Sequence, residues 1–430
     1  MKFVVEQFAD WAARWREERA SADALHHAKR AVIDWHAAYY PGSVAPPATM
    51  LERAFAATKD DPRTAALILG TAAHTEEVDD IFRDGIYHPG APTIAAALAL
   101  GRTLGASGEK FLRAAIAGYE ISTRIGAAMG RAHYKYWHNT GTIGCFGSAA
   151  ACAELLDLDA KRFAHALATV ATFAAGLQQA FRMDSMSKPL HAGRAAEAGV
   201  TAALAAREGV TGSLDVLEGE AGFGRAMGDG PDWGKFLSSL GKDFNICRMT
   251  FKNHACCGHT FAAIDGALAL KSRMGLEAGD IERVKIGTYR AGVEVAHFQA
   301  PKTPAEARFS LKYVVATALT HGSVRLAAFS PERIGNPETR ALMGRIETGV
   351  DAALDATFPS QRAARVEIAA RGGRREELLQ PTRIGDPEAP LSDRQLDEKY
   401  AELAAPVLGD APARALLARL WRLESEKTVS

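Results

Sequence analysis

Four short stretches of the chain set ionisable side chains beside glycine or proline, and each offers a different chemistry. In the first, His74 is followed by Glu76, Glu77, Asp79 and Asp80, and a short loop then leads to His88-Pro89-Gly90. Crowded carboxylates repel one another, which would suit a solvated loop. Apolar sequence stands on both sides, however, from Ala66 to Ala73 and from Ala91 onward. That places the acids and His88 at the mouth of buried helices, where carboxylates hold imidazoles or raise each other's pKa. The second stretch runs from His133 through Tyr134, Tyr136, Trp137, His138 and Asn139 to Thr140-Gly141-Thr142. Aromatic packing explains His133 as well as chemistry does, and Thr140 or Thr142 reads as a helix N-cap. His138, directly before the turn into a small-residue helix, is the better candidate.

The third stretch holds Arg182 and then Ser187-Lys188-Pro189-Leu190-His191-Ala192-Gly193-Arg194. A helix starting there presents free N–H groups and the positive end of its dipole to an anion. Lys188 in that place binds a carboxylate or, if desolvated, acts as a base; the plain alternative is an exposed first-turn lysine. The fourth stretch is Lys252, His254 and Cys256-Cys257-Gly258-His259. Cys257 and His259 read equally as a nucleophile–base pair or as a buried thiol with a packing histidine.

A chain of 430 residues exceeds one ordinary core and predicts two domains. Lys plus Arg and Asp plus Glu both number 51, so no overall field favours nucleic acid or an anionic membrane. Small anions must be held by local clusters. No apolar run is long enough for a membrane helix, and the first residues lack a secretory signal. Five cysteines, at 145, 152, 247, 256 and 257, form no regular framework and suit a reducing, cytoplasmic compartment. There is no CxxC or HExxH and no evident cysteine spacing for an iron–sulfur cluster, so the motifs give no reason to expect a metal.

From Phe3 to about Gly241 the chain reads as successive alanine-rich helices, with Thr93 to Leu104 apolar nearly all round and therefore buried. Gly105 and Gly209 sit where helix C-caps belong. After Asn245 the pattern changes: Arg283 to Tyr289 and Arg365 to Ala369 alternate as half-buried strands, and Gly372-Gly373 makes a hairpin turn. Ser310 to His321 and Pro337 to Ala356 read as helices between them. Ser392 and Gln395 form a capping box that opens a final helical segment. The expected organisation is a mainly α protein: helical residues 1–247, a smaller α/β unit over 248–390 acting as an insertion or lid, and 391–430 returning to the helical domain.

On these residues the chain resembles the MmgE/PrpD family of 2-methylcitrate dehydratases, cis-aconitate decarboxylases and iminodisuccinate epimerases. The resemblance covers His74 to Asp80 with His88-Pro89-Gly90, Ala115 to Gly126, and Trp137 to Thr142. It continues through Lys188 to Ala196, the Lys252 to His259 junction, Arg308 to Tyr313 and the Tyr400 helix. The Lys188 block is its most specific part. It implies a large helical domain built from both chain ends, an α/β lid, a homodimer, a cleft between the domains as active site, and no cofactor. Carried over by residue, Lys188 is similar to the family's active-site lysine and His88 to the histidine of its His-Pro loop. Asp80 lies in the matching acidic stretch, and His138, Lys252 and Tyr313 fall on motif positions. Glu77 and Ile81 depart from the pattern of decarboxylase and dehydratase members, and Cys257 from that of the decarboxylases; both departures point away from cis-aconitate decarboxylation.

The chemistry so implied removes a group beside a carboxylate through an enolate-like carbanion. Lys188, His88 and Asp80 are expected to be catalytic, with proton transfer at Lys188 and His88. His138, Arg182, His191, Lys252, Cys257, His259, Tyr313 and Glu77 are expected to bind substrate, and Lys188 and Lys252 are interchangeable at this level. A dehydratase acting on a small polycarboxylic acid, similar to those of 2-methylcitrate, comes first; an epimerase of an amino-dicarboxylate such as iminodisuccinate, or a cis-aconitate-type decarboxylase, is the alternative. A metabolite-binding protein that kept the fold is the non-enzymatic alternative.

Overall fold

In the computed structural model, residues 2–18, 20–181 and 185–429 are described. They divide into two compact units, Met1–Phe251 with Ser392–Ser430, and Lys252–Leu391. Alanine-rich segments form the helices, several of them with a capping side chain at the N-terminus. The longer helices of the first unit are α1 (Val4–Glu17), α2 (Ala22–Ser43), α3 (Pro62–Thr75), α4 (Gly90–Leu104), α5 (Gly108–Tyr134), α6 (Gly144–Leu155), α7 (Ala160–Ala171) and α8 (Ser187–Arg207). Ser21, Asp61, Ser107 and Asp159 accept hydrogen bonds from first-turn N–H groups of α2, α3, α5 and α7. Gly105, left-handed at φ 61°, closes α4.

Small residues let the central helices approach closely. A Cβ on Gly193 of α8 would lie 2.2 Å from the Leu67 carbonyl oxygen of α3, and one on Gly70 would lie 3.0 Å from Gly193 Cα. The crossing therefore tolerates no side chain at Gly193. It sets the end of α3, with His74, beside the beginning of α8, with Lys188 and His191. Helix α4 is buried continuously from Gly90 to Gly101, as its unbroken apolar sequence predicts.

The second unit contains α9 (Phe261–Met274), α10 (Leu311–His321) and a four-stranded sheet of β1 (Ile281–Thr288), β2 (Ile346–Val350), β3 (Ala364–Ala370) and β4 (Arg375–Gln380). Their order is β2-β1-β3-β4, with β1 and β2 parallel and the other pairs antiparallel. Val284 lies opposite Ile346 and Ile368, and α9 covers β3 and β4. The single helix expected over Pro337 to Ala356 is instead a helix to Met343, the edge strand β2, and a short helix from Ala352. Gly344 interrupts the helix, alternating Ile346, Thr348 and Val350 pair with β1, and Asp351 caps the next turn.

After Leu391 the chain resumes in the first unit with α11 (Asp393–Leu408) and α12 (Asp410–Leu420). Ser392 and Gln395 make the expected capping box. Lys399 of α11, fully buried, pairs with Asp34 of α2 and donates to the Val78 carbonyl at 2.7 Å. Helix α11 thereby braces the acidic stretch itself. Thr140 and Thr142 do not cap a helix; His138 occupies that position, and the threonine hydroxyls accept from His88 N and meet His133 Nε2. No helix among the described residues is long and apolar enough to cross a membrane.

Candidate active site

Helix α3 ends at Thr75, and the acidic stretch then folds under the His88-Pro89-Gly90 turn. Asp79 Oδ2 sits 2.7 Å from His74 Nδ1 and 3.2 Å from His88 Nδ1. One carboxylate oxygen thus orients two imidazoles. Burial works to raise the Asp79 pKa, but the charges and hydrogen bonds of His88 and His74 outweigh it and hold the group well below the usual carboxylate range. An anion fixed against Nδ1 leaves Nε2 as the working nitrogen and stabilises the imidazolium once a proton arrives. His74 is wholly buried, whereas the His88 side chain keeps 15% of its surface exposed and is the one able to meet a ligand.

The imidazoles continue outward. His138 stacks on His74 with ring centroids 5.4 Å apart, and its Nδ1 lies 3.0 Å from His191 Nδ1. Burial, followed by the positive surroundings of His74 and Lys188, keeps His138 well below its ordinary pKa and brings His191 down to about 4. Both rings are therefore neutral at neutral pH. His191 and Arg194 also line a recess of about 560 Å³, whose walls include Gly141, Phe173, Leu177 and Ala195. Lys188, in the first turn of α8, pairs with Glu77 at 2.6 Å. Glu77 itself has φ 56°, left-handed backbone that turns its carboxylate at the end of the α3 region toward the lysine.

Asp80, expected among the catalytic residues, is buried. Its Oδ1 accepts from Gly90 N at 3.0 Å and its Oδ2 from the Tyr119 hydroxyl at 2.7 Å. Burial, then the neighbouring charge of Asp34, pushes its pKa up to about 8. The geometry gives Asp80 an anchoring place, holding the turn that presents His88. A Cβ on Gly90 would meet the Tyr119 hydroxyl at 2.7 Å, so this turn needs glycine. Arg182 lies outside the described residues.

The remaining expected residues belong to the second unit. Lys252 is largely buried, and its charge acts on Cys256 and Cys257 together with those of nearby arginines. Burial nevertheless raises the Cys257 thiol, and His259 Nδ1 bonds to the Tyr289 hydroxyl at 2.9 Å. Burial, Arg362 and Arg383 bring His259 down to about 4. A neutral thiol and an imidazole committed to Tyr289 do not make the nucleophile–base pair that the sequence left open. Tyr313 is fully buried and its hydroxyl donates to the Ala328 carbonyl.

His74 and Asp79 are the functional candidates that sequence reasoning passed over. The acidic run was legible as a group, but only folding shows that Asp79, not Asp80, points at the imidazoles. Folding also brings together ligand atoms that no spacing signals. His74, Asp79 and His88 place theirs within 4.8 Å of one another, as do Asp23, His27 and Cys247. In the first trio the 2.7 Å separation is that of a hydrogen bond, closer than neighbouring ligands of a tetrahedral ion stand, about 3.3 Å.

Comparison with known proteins matches residues 6–235 to the MmgE/PrpD N-terminal domain and residues 254–423 to the MmgE/PrpD C-terminal domain. The cis-aconitate decarboxylase of Homo sapiens is 28% identical over 374 residues, covering 84% of this chain and 77% of that protein. The cis-aconitate decarboxylase-like protein oryM of Aspergillus oryzae is 24% identical over 472 residues, covering 99% and 96% respectively. The cis-aconitate decarboxylase of Mus musculus is 25% identical, covering 84% of this chain and 76% of its own.

Proposed function

Since the chain belongs to the MmgE/PrpD family, we propose that it is a lyase that forms a carbanion beside a carboxylate of a small polycarboxylic acid, and that the reaction is a dehydration like that of 2-methylcitrate dehydratases. The observation that carries this reading is the pair of imidazoles held by the single Asp79 oxygen, with Lys188 and two neutral histidines beside them. Decarboxylation needs a place for developing charge and a proton donor. Dehydration also needs a base, and an Asp79-oriented His88 is built as one.

In this account His88 Nε2 takes the α-proton, and the electron pair left on carbon spreads into the adjacent carboxylate. Asp79 stabilises the resulting imidazolium. The C–O bond then breaks, and Lys188 gives a proton to the departing hydroxyl, which leaves as water. The Lys188 charge and the α8 N-terminus also lower the energy of the enolate-like state. His138 and His191, being neutral, bind substrate oxygens as hydrogen-bonding partners. Lys252 and Arg182 are assigned to substrate carboxylates on their residue type and family position. No organic cofactor or metal is assigned to these steps, and a homodimer in the cytoplasm is the state we expect from the resemblance.

Decarboxylation is the second reading, favoured by the names of the three relatives. Replacing Lys188 with Ala tests what both readings share. Turnover of a competent polycarboxylate should be lost while the thermal transition stays within a few degrees of wild type. Wild-type kcat in that variant would remove Lys188 from the chemistry.

A further inference from the structure

A second set of metal-ligating side chains gathers elsewhere on the larger unit. Asp23 and His27 stand one turn apart on the same face of α2. The 3-10 turn Asn245–Arg248 packs on that helix and brings Cys247 to them. Cys247 Sγ lies 3.3 Å from Asp23 Oδ2, and His27 Nε2 lies 3.8 Å from Asp23 Oδ1. Ligands bound at about 2.0–2.3 Å around a tetrahedral ion stand about 3.3–3.8 Å apart. Each oxygen of the Asp23 carboxylate has one other ligand atom at such a distance, Oδ2 the sulfur and Oδ1 the imidazole nitrogen. The sulfur and the imidazole nitrogen are within 4.8 Å of each other, and exposed Asp23 has the freedom to let the trio close.

We propose that Asp23, His27 and Cys247 bind a zinc ion, with water in the fourth position. The donor set is one thiolate, one imidazole and one carboxylate, which suits zinc and is too soft for magnesium or calcium. Thiolate and carboxylate together neutralise the ion's two charges. The charged groups facing His27 are Asp23, Arg30, His26 and Asp393, and the Arg30 guanidinium is itself paired with Asp393. On binding, the S–H bond breaks, the Zn–S bond forms and the proton passes to buffer, with no change of oxidation state. The ion would clip the first turn of α2 to the turn carrying Cys247. None of the three ligands belongs to the catalytic assignment above.

The test uses the full chain, reduced and stripped with a chelator, titrated with zinc against a chromophoric competitor and with cobalt as spectroscopic probe. One equivalent of zinc should bind and raise the melting temperature. That equivalent should weaken roughly 100-fold or more in Cys247→Ser and in His27→Ala. A thiolate-to-cobalt charge-transfer band should be present in wild type and in Cys256→Ser and absent in Cys247→Ser. If Cys247→Ser fails to fold by circular dichroism, Asp23→Asn on the exposed face takes its place. Absence of tight zinc binding, or a zinc stoichiometry and affinity unchanged across these variants, would overturn the proposal. Zinc held at the histidines would survive Cys247→Ser and is thereby distinguished.

Discussion

At the scale of single residues, two adjacent aspartates have opposite electrostatics because their partners differ. Asp79 faces two imidazoles and stays ionised; Asp80 faces a phenol, a backbone N–H and the charge of Asp34, and holds its proton to about pH 8. Replacing Asp79 with Asn should lower kcat about 100-fold or more with little change in KM, because the imidazolium loses its counter-charge. An equal loss in KM alone would mean that Asp79 serves binding instead. For Asp80 the folded-state pKa is raised above the ordinary 3.8, so its contribution to stability is complete below that value and lost as pH rises through 8. Asp80→Asn mimics the protonated acid. Its melting temperature should gain on that of wild type as pH goes from 5 to 9, whereas parallel curves would show that Asp80 does not titrate in that window. The sequence disclosed the histidines, Lys188 and the acidic run. It did not disclose which acid each imidazole meets, because that depends on the backbone turn after α3 and not on residue type.

At the scale of elements, the site exists because α3, α8 and the His88 turn are clamped together. Gly70 and Gly193 permit the α3–α8 approach, and Lys399 of α11 holds Val78 just ahead of the two aspartates. Lys399→Met would leave Asp34 buried without its cation. The expected loss is about 3–5 kcal/mol of stability, largely recovered by adding Asp34→Asn. Chemical denaturation checks this, and a loss under 1 kcal/mol would show that the pair is not a structural brace. Helix boundaries set by caps and glycines were legible, as at Ser392, Gln395 and Gly105. Strand β2 was not: Ile346 to Val350 is short, follows a helix directly, and is a strand only because β1 lies ready to pair with it. The Lys399–Asp34 pair spans most of the chain, and nothing local announces it.

At the scale of the whole molecule, the chain carries the N- and C-terminal domains of one family in sequence order. The proposed reaction forms a carbanion beside a carboxylate, with His88 and Lys188 moving the protons. Deuterated water reads this most directly. The protein is incubated with the unsaturated acid formed by dehydration of 2-methylcitrate, and separately with cis-aconitate, and products are followed by NMR and carbon dioxide release. The first acid should be hydrated with one deuterium placed stereospecifically on carbon and one hydroxyl added, and this should be lost in Lys188→Ala. Cis-aconitate should yield no carbon dioxide. Steady release of carbon dioxide by the wild-type protein, absent in Lys188→Ala, would contradict the dehydratase assignment, and deuterium incorporation unchanged in Lys188→Ala would contradict the mechanism itself.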